Sequence, residues 1–157
     1  MKSSCIGFLA FAAFIMGAAT FATADDVKDE AIKKDRKRME GTWRATALIV
    51  NGEAFTQENA NALTVLNGAD GTWIIRDRDT EKSKGTSTID PTKNPKTIDI
   101  TPSIGDDKGI TYLGVYEIGE STRKVCIAPP GKARPKEFTS TAGSGHILVT
   151  FERAKDK

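Results

Sequence analysis

From Gly41 onward, apolar and polar residues alternate in short runs. Thr97-Ile98-Asp99-Ile100-Thr101 puts both isoleucines on one face of a strand, and Lys124-Val125-Cys126-Ile127 does the same for its valine and isoleucine. Eight segments rich in Val, Ile, Thr and aromatics fall at roughly 42–50, 61–66, 71–77, 84–89, 96–101, 110–118, 122–128 and 146–153. Gly, Asn, Asp and Pro separate them. Asn67-Gly68 is a strong hairpin signal, Gly119-Glu120 suits a second tight turn, and Asp90-Pro91 with Asn94-Pro95 brackets a stiff one. Residues 25–40 break this period. Asp25, Asp26, Asp29 and Glu30 lead and Lys33, Lys34, Arg36, Lys37 and Arg38 follow, an order that complements a helix dipole, with Gly41 placed to end the helix. Its apolar content is thin (Val27, Ala31, Ile32, Met39), which predicts a mostly solvated helix leaning on the strands.

Eight successive strands, without a second helix long enough to cover a parallel sheet, suit an antiparallel up-and-down barrel or a sandwich. The connections favour the barrel. The long loops, about 51–60 and 129–145, follow the first and seventh strands. In an up-and-down barrel the odd-numbered loops share one end, so both would rim a single mouth.

Residues 1–24 read as a secretory signal peptide. Lys2 supplies the positive start, Ile6 to Ala19 is uncharged and apolar or small, and Ala22-Thr23-Ala24 is a small-x-small cleavage site. The apolar run is short for a membrane span and no basic stop-transfer segment follows. The expected organisation is signal peptide 1–24, helix or linker 25–40, and barrel 41–157, with a mature protein in the periplasm or outside the cell. Cys5 would leave with the leader, so Cys126 remains alone and an intramolecular disulfide is excluded. The chain has 23 basic and 21 acidic residues. Near balance, and with acids interspersed in the basic run of the helix, nucleic acid is not expected as a partner.

The chemistry-bearing residues do not assemble into a catalytic pattern. His146 is the only histidine, so a multi-His metal centre is excluded, and the Gly-x-Ser-x-Gly spelling of a nucleophile elbow is missing. Ser121 and Lys124 have Ser-x-x-Lys spacing but fall on a hairpin, where the side chains diverge. Asp77/Asp79 and Asp106/Asp107 do not follow a calcium-loop spacing and read as solvated loop residues. Cys126 reads as a packed, inert thiol. The sequence therefore assigns no enzyme activity, catalytic residue, metal ligand or cofactor.

Gly41-Thr42-Trp43, a Gly-x-Trp opening the first strand after a short helix, resembles lipocalins and their barrel relatives. Further stretches resemble an uncharacterised lipocalin-like domain family of planctomycete bacteria. They are Met39 to Trp43, Asn94 to Thr101, Tyr112 to Glu117, Val125 to Phe138, and Gly143-Ser144-Gly145. The resemblance spans nearly the whole mature chain in order. It implies an eight-stranded antiparallel lipocalin-like barrel with a short N-terminal helix, and no particular activity. Lipocalins also carry a basic residue near the end of the last strand, packed over the first-strand Trp. Arg153 fits that position, so the resemblance implies a structural Trp43–Arg153 contact, a guanidinium stacked on an indole.

An eight-stranded barrel either fills itself with side chains or holds one small ligand. If Trp43 points inward, a two-residue period turns Ala45, Ala47 and Ile49 inward too, and Tyr112, Gly114 and Tyr116 share a face. Small wall residues beside aromatics predict a modest cavity. The expected occupant is a small apolar or amphipathic molecule near Trp73, Tyr112 or Tyr116, with Arg134 on a polar head. The alternative is a cell-envelope module for protein interaction or structure, motivated by the long loop that Pro129-Pro130-Gly131 and Arg134-Pro135 stiffen. That loop reads either as a mouth loop presenting Lys132, Arg134 and Phe138 to a ligand or as a rigid crossover with Phe138 tucked onto the barrel.

Overall fold

A computed structural model describes residues 23–155. All of the signal-peptide reading except its last two residues, Cys5 included, therefore lies outside the described residues. Helix α1 spans Ala24–Met39. Thr23 caps it, its hydroxyl accepting from the Asp26 amide while the Asp26 carboxylate accepts from the Thr23 amide, a reciprocal capping box. Gly41 then adopts φ +99°, which an L side chain rarely tolerates, and turns the chain from helix into strand.

Nine strands follow: β1 Gly41–Val50, β2 Glu53–Ala54, β3 Leu63–Asn67, β4 Thr72–Asp77, β5 Thr80–Asp90, β6 Lys96–Pro102, β7 Tyr112–Ile118, β8 Thr122–Ile127 and β9 Ile147–Arg153. One helical turn, α2 Gln57–Asn61, lies between β2 and β3. β1 and β3 to β9 pair antiparallel in chain order, and β1 pairs again with β9. The result is a closed eight-stranded barrel; β2 is a short hairpin arm on β1. Among the described residues no helix is long and apolar enough to cross a membrane.

Strand direction divides the connections between two ends. The hairpins at 67–72, 90–96 and 118–122 lie at the end where α1 joins β1. The long connections after β1 and β8 lie at the other. That end is the mouth, as the loop lengths require.

The closed end is built around Trp43, which is fully buried. Its indole N–H donates to the Met39 carbonyl at 2.7 Å, tying strand to helix. The Arg153 guanidinium lies 4.4 Å from the indole centroid and donates to the carbonyls of Glu40 and Arg38 at 2.8 and 2.5 Å. One side chain thus stacks on the plug and satisfies carbonyls at the end of α1. The helix is more than a solvated appendage. Asp35, buried in its third turn, reaches the barrel floor and accepts from Tyr116 Oη at 2.7 Å and Lys96 Nζ at 2.6 Å. Arg36 donates to Ser87 Oγ at 2.9 Å and to the Ser87 carbonyl.

The simple alternation expected for β1 stops at its middle. Trp43 and Ala45 face inward, but the register with β9 shifts between Ala45 and Ala47. This bulge reverses the parity beyond it, because one extra residue sends every later side chain to the opposite face. Ala47 is exposed and Leu48 is buried in its place. The space next to Gly114 is also taken. A Cβ there would meet the Cys126 carbonyl and Ile127 Cγ2, both at 2.7 Å.

The loop from Ala128 to His146 does not cross the mouth. Arg134 and Pro135 lie beside Pro95, Thr97 and Val115, and Phe138 lies beside Asn94, Pro95 and Glu117. The loop therefore runs down the outer wall to the closed end. It covers a small second core in which Val115, Cys126 and Ala128 are almost fully buried.

Candidate functional site

Inside the barrel, a cavity of about 230 Å³ opens toward the mouth. Period-two alternation along β3, β4, β6, β8 and β9 brings its walls together, with Leu48 of β1 entering beyond the bulge. Leu48, Leu63, Ile75, Ile100, Ile127, Ile147 and Val149 supply the mouth side, and Val65, Val125 and Phe151 lie deeper. The chemistry changes with depth. Asn67 ends β3, Trp73 is the second residue of β4, and Arg123 is the second residue of β8, all near the closed end.

These three side chains carry donors without acceptors. Asn67 Nδ2, Trp73 Nε1, Arg123 Nε and Arg123 Nη1 are buried and have no hydrogen-bond partner among the described residues. Arg123 is 5% exposed and Trp73 6%. The guanidinium lies 5.4 Å from the Phe151 ring centroid, and none of the ion pairs among the described residues involves it. Burial, with Arg36 nearby, pushes Arg123 down to about 10 from arginine's ordinary 12.5, which leaves it charged at neutral pH. Trp73 keeps its place because Gly85 faces it. A Cβ at Gly85 would lie 2.7 Å from Trp73 Cζ2 and closer still to the Thr101 carbonyl.

The residues expected from the sequence to share a site are placed apart. Trp73 lines the cavity. Tyr116 faces inward below it, fully buried, with its hydroxyl engaged by Asp35; burial, then Asp35, pushes that hydroxyl well above the ordinary tyrosine range. Tyr112 opens β7 at the rim, its hydroxyl pushed up to about 12 by burial and then by Asp107. Arg134 lies on the outer wall. Its Nη1 donates to the carbonyls of Ile98 and Gly114 at 3.0 and 2.6 Å, and its Nη2 pairs with Asp99 at 2.6 Å. These bonds pin the 128–146 loop, and they are remote from the cavity because Asp99 alternates with the inward Ile98 and Ile100.

Cys126 faces outward beneath that loop, its Sγ donating to the Thr139 carbonyl at 3.3 Å, with burial pushing the thiol up. His146 sits at the mouth, its backbone carbonyl accepting from Ser140 Oγ and Asn51 N. Asn67 has only a turn role in the sequence reading, which gives neither Asn67 nor Arg123 a place in a site. A signal for Arg123 exists: it alternates in step with Val125 and Ile127, which puts it on the apolar face. An arginine at a strand end is ordinarily solvated, and only closure of the barrel buries this one.

Searches against protein-family models, curated proteins and solved structures returned no match.

Proposed function

We propose that this chain is an exported lipocalin-like binding protein, akin to the planctomycete domain family, that holds a small apolar or amphipathic molecule inside its barrel. In this reading it carries its cargo without transforming it. The observation that supports the reading is the apolar cup of about 230 Å³ at the centre of a closed barrel. Its size suits a compact ligand, since a dry cavity of about 150 Å³ already takes benzene. The connection after β1 and the returning end of the 128–146 loop meet beside the opening, where Asn51 and Gly52 bond to Ser140, Gly145 and His146, and loops ordinarily carry recognition.

Titration with the neutral dye Nile red tests the reading. The wild-type barrel is expected to bind dye with a blue-shifted emission. Val149→Trp, which fills the cup from β9, is expected to abolish that emission with the circular dichroism of the barrel unchanged. Equal dye binding by a folded Val149→Trp protein would show that the cup is not the site. Export is tested by the intact mass of protein recovered from its own host, expected to begin at Asp25; a mass beginning at Met1 would overturn that part.

A further inference from the structure

We infer that the cup receives a monocarboxylate amphiphile head first, its carboxylate held at the closed end by Arg123, Trp73 and Asn67 and its apolar part directed to the mouth. This rests on the binding reading above and adds a ligand class, an orientation and three residues.

Polarity along the barrel axis is the first argument. Toward the mouth the wall is aliphatic, from Leu63, Ile75, Ile100 and Ile147. Toward the floor are donors on two sides of the cup. Trp73 is directly paired with Asn67 across β3 and β4. In the closed ring β1, β3 to β9, strand β8 lies four strands from β4, so Arg123 faces them from the opposite wall. Donors without acceptors on both sides call for a ligand group that only accepts.

Charge is the second argument. Asp35, the carboxylate at the floor, is already engaged by Lys96 and Tyr116. Among the described residues no carboxylate pairs with Arg123, which leaves it a buried cation without a counter-ion there. Burying an unpaired charge opposes folding, so its presence on the inner face of a packed barrel needs a compensating role. A planar carboxylate matches the guanidinium fork, and the indole and amide N–H groups, which lack acceptors, are the donors left for its remaining lone pairs.

Scaled from a benzene-sized cavity of about 150 Å³, this cup takes a ring with a short side chain or an alkyl chain of roughly eight carbons.

The test compares sodium octanoate, 1-octanol and octylamine, which share a tail and differ in head, by calorimetric titration at neutral pH with tryptophan emission as a second readout. Wild type is expected to bind octanoate at least tenfold more tightly than octanol, and octylamine least. Arg123→Met is expected to lose at least tenfold toward octanoate while keeping octanol, with a thermal midpoint at or above wild type. Arg123→Lys keeps the charge without the fork and should fall between them. Octanol binding to wild type as tightly as octanoate, or octanoate binding unchanged in folded Arg123→Met, would overturn the head-down carboxylate site while leaving the cup as a binding site. If none of the three binds and Nile red also fails, the binding reading itself falls.

Discussion

Tyr116 donates its hydroxyl to Asp35 at 2.7 Å, a bond that joins the inner face of β7 to helix α1 and closes the barrel from below. Lys96 completes the cluster, with its Nζ 2.6 Å from the same carboxylate oxygen. Hydrogen bonds to charged groups contribute about 1.5–3 kcal/mol each, and stranding a buried partner costs more than removing both. Tyr116→Phe is expected to destabilise by about 1.5–3 kcal/mol. Asp35→Ala, which strands both the hydroxyl and the ammonium, should cost more. Urea unfolding checks the order; equal midpoints for Tyr116→Phe and wild type would show the helix is held by other contacts.

Arg153 acts through its plane as well as its charge. Arg153→Ala removes the stack on Trp43 and two bonds to helix-end carbonyls, and is expected to cost about 1–3 kcal/mol. Arg153→Lys should recover less than half of that, because an ammonium lacks both the flat face and the fork. Full recovery by lysine in a urea series would reduce the contact to simple charge.

Asp90 sits at the β5–β6 hairpin and reaches Lys28 of α1 at 3.0 Å. The Thr92 hydroxyl first, and Lys28 next, hold its carboxyl at about 2, below the ordinary 3.8. A carboxyl depressed in the folded state stabilises above its unfolded value, and that contribution is lost as pH falls through the folded one. The window therefore runs from about pH 4 down to pH 2. Asp90→Asn should show a shallower fall in urea midpoint across this window, and identical slopes would remove Asp90 from the acid response.

Arg134 fastens the loop that covers Cys126. In the native protein the thiol should react slowly with a disulfide reagent, because attack requires the loop to lift. Arg134→Gln should raise the labelling rate about tenfold, the factor that loss of roughly 1.4 kcal/mol of anchoring gives. An unchanged rate would mean that Pro135 and Phe138 hold the loop without it.

Several of these relationships lie close to the sequence. The eight barrel strands follow from runs such as Thr97 to Thr101, whose isoleucines do share the inner face. The placement of both long loops at one mouth follows from chain order and antiparallel pairing alone. Other features were not legible. Nothing local in Gly41 to Val50 announces the bulge that exchanges Ala47 for Leu48, because a bulge is set by how β1 meets β9, about a hundred residues away. Arg134 reads from the sequence as the contact for a ligand's polar head, and only the fold brings it instead to the carbonyls of Ile98 and Gly114 on the outer wall.

Local pattern determined what each segment is: strand or helix, which residues share a face, and in what order the strands run. Those properties depend on neighbours two to four positions apart, and the chain displays them directly. Where the faces point once the ring closes depended on partners far along the chain. That closure put Trp43 under Arg153, Asp35 under Tyr116, and Arg123 inside an apolar cup opposite Trp73. Burial is a property of the whole enclosure, so the place of Arg123 on the inner face could be assigned only from the tertiary structure.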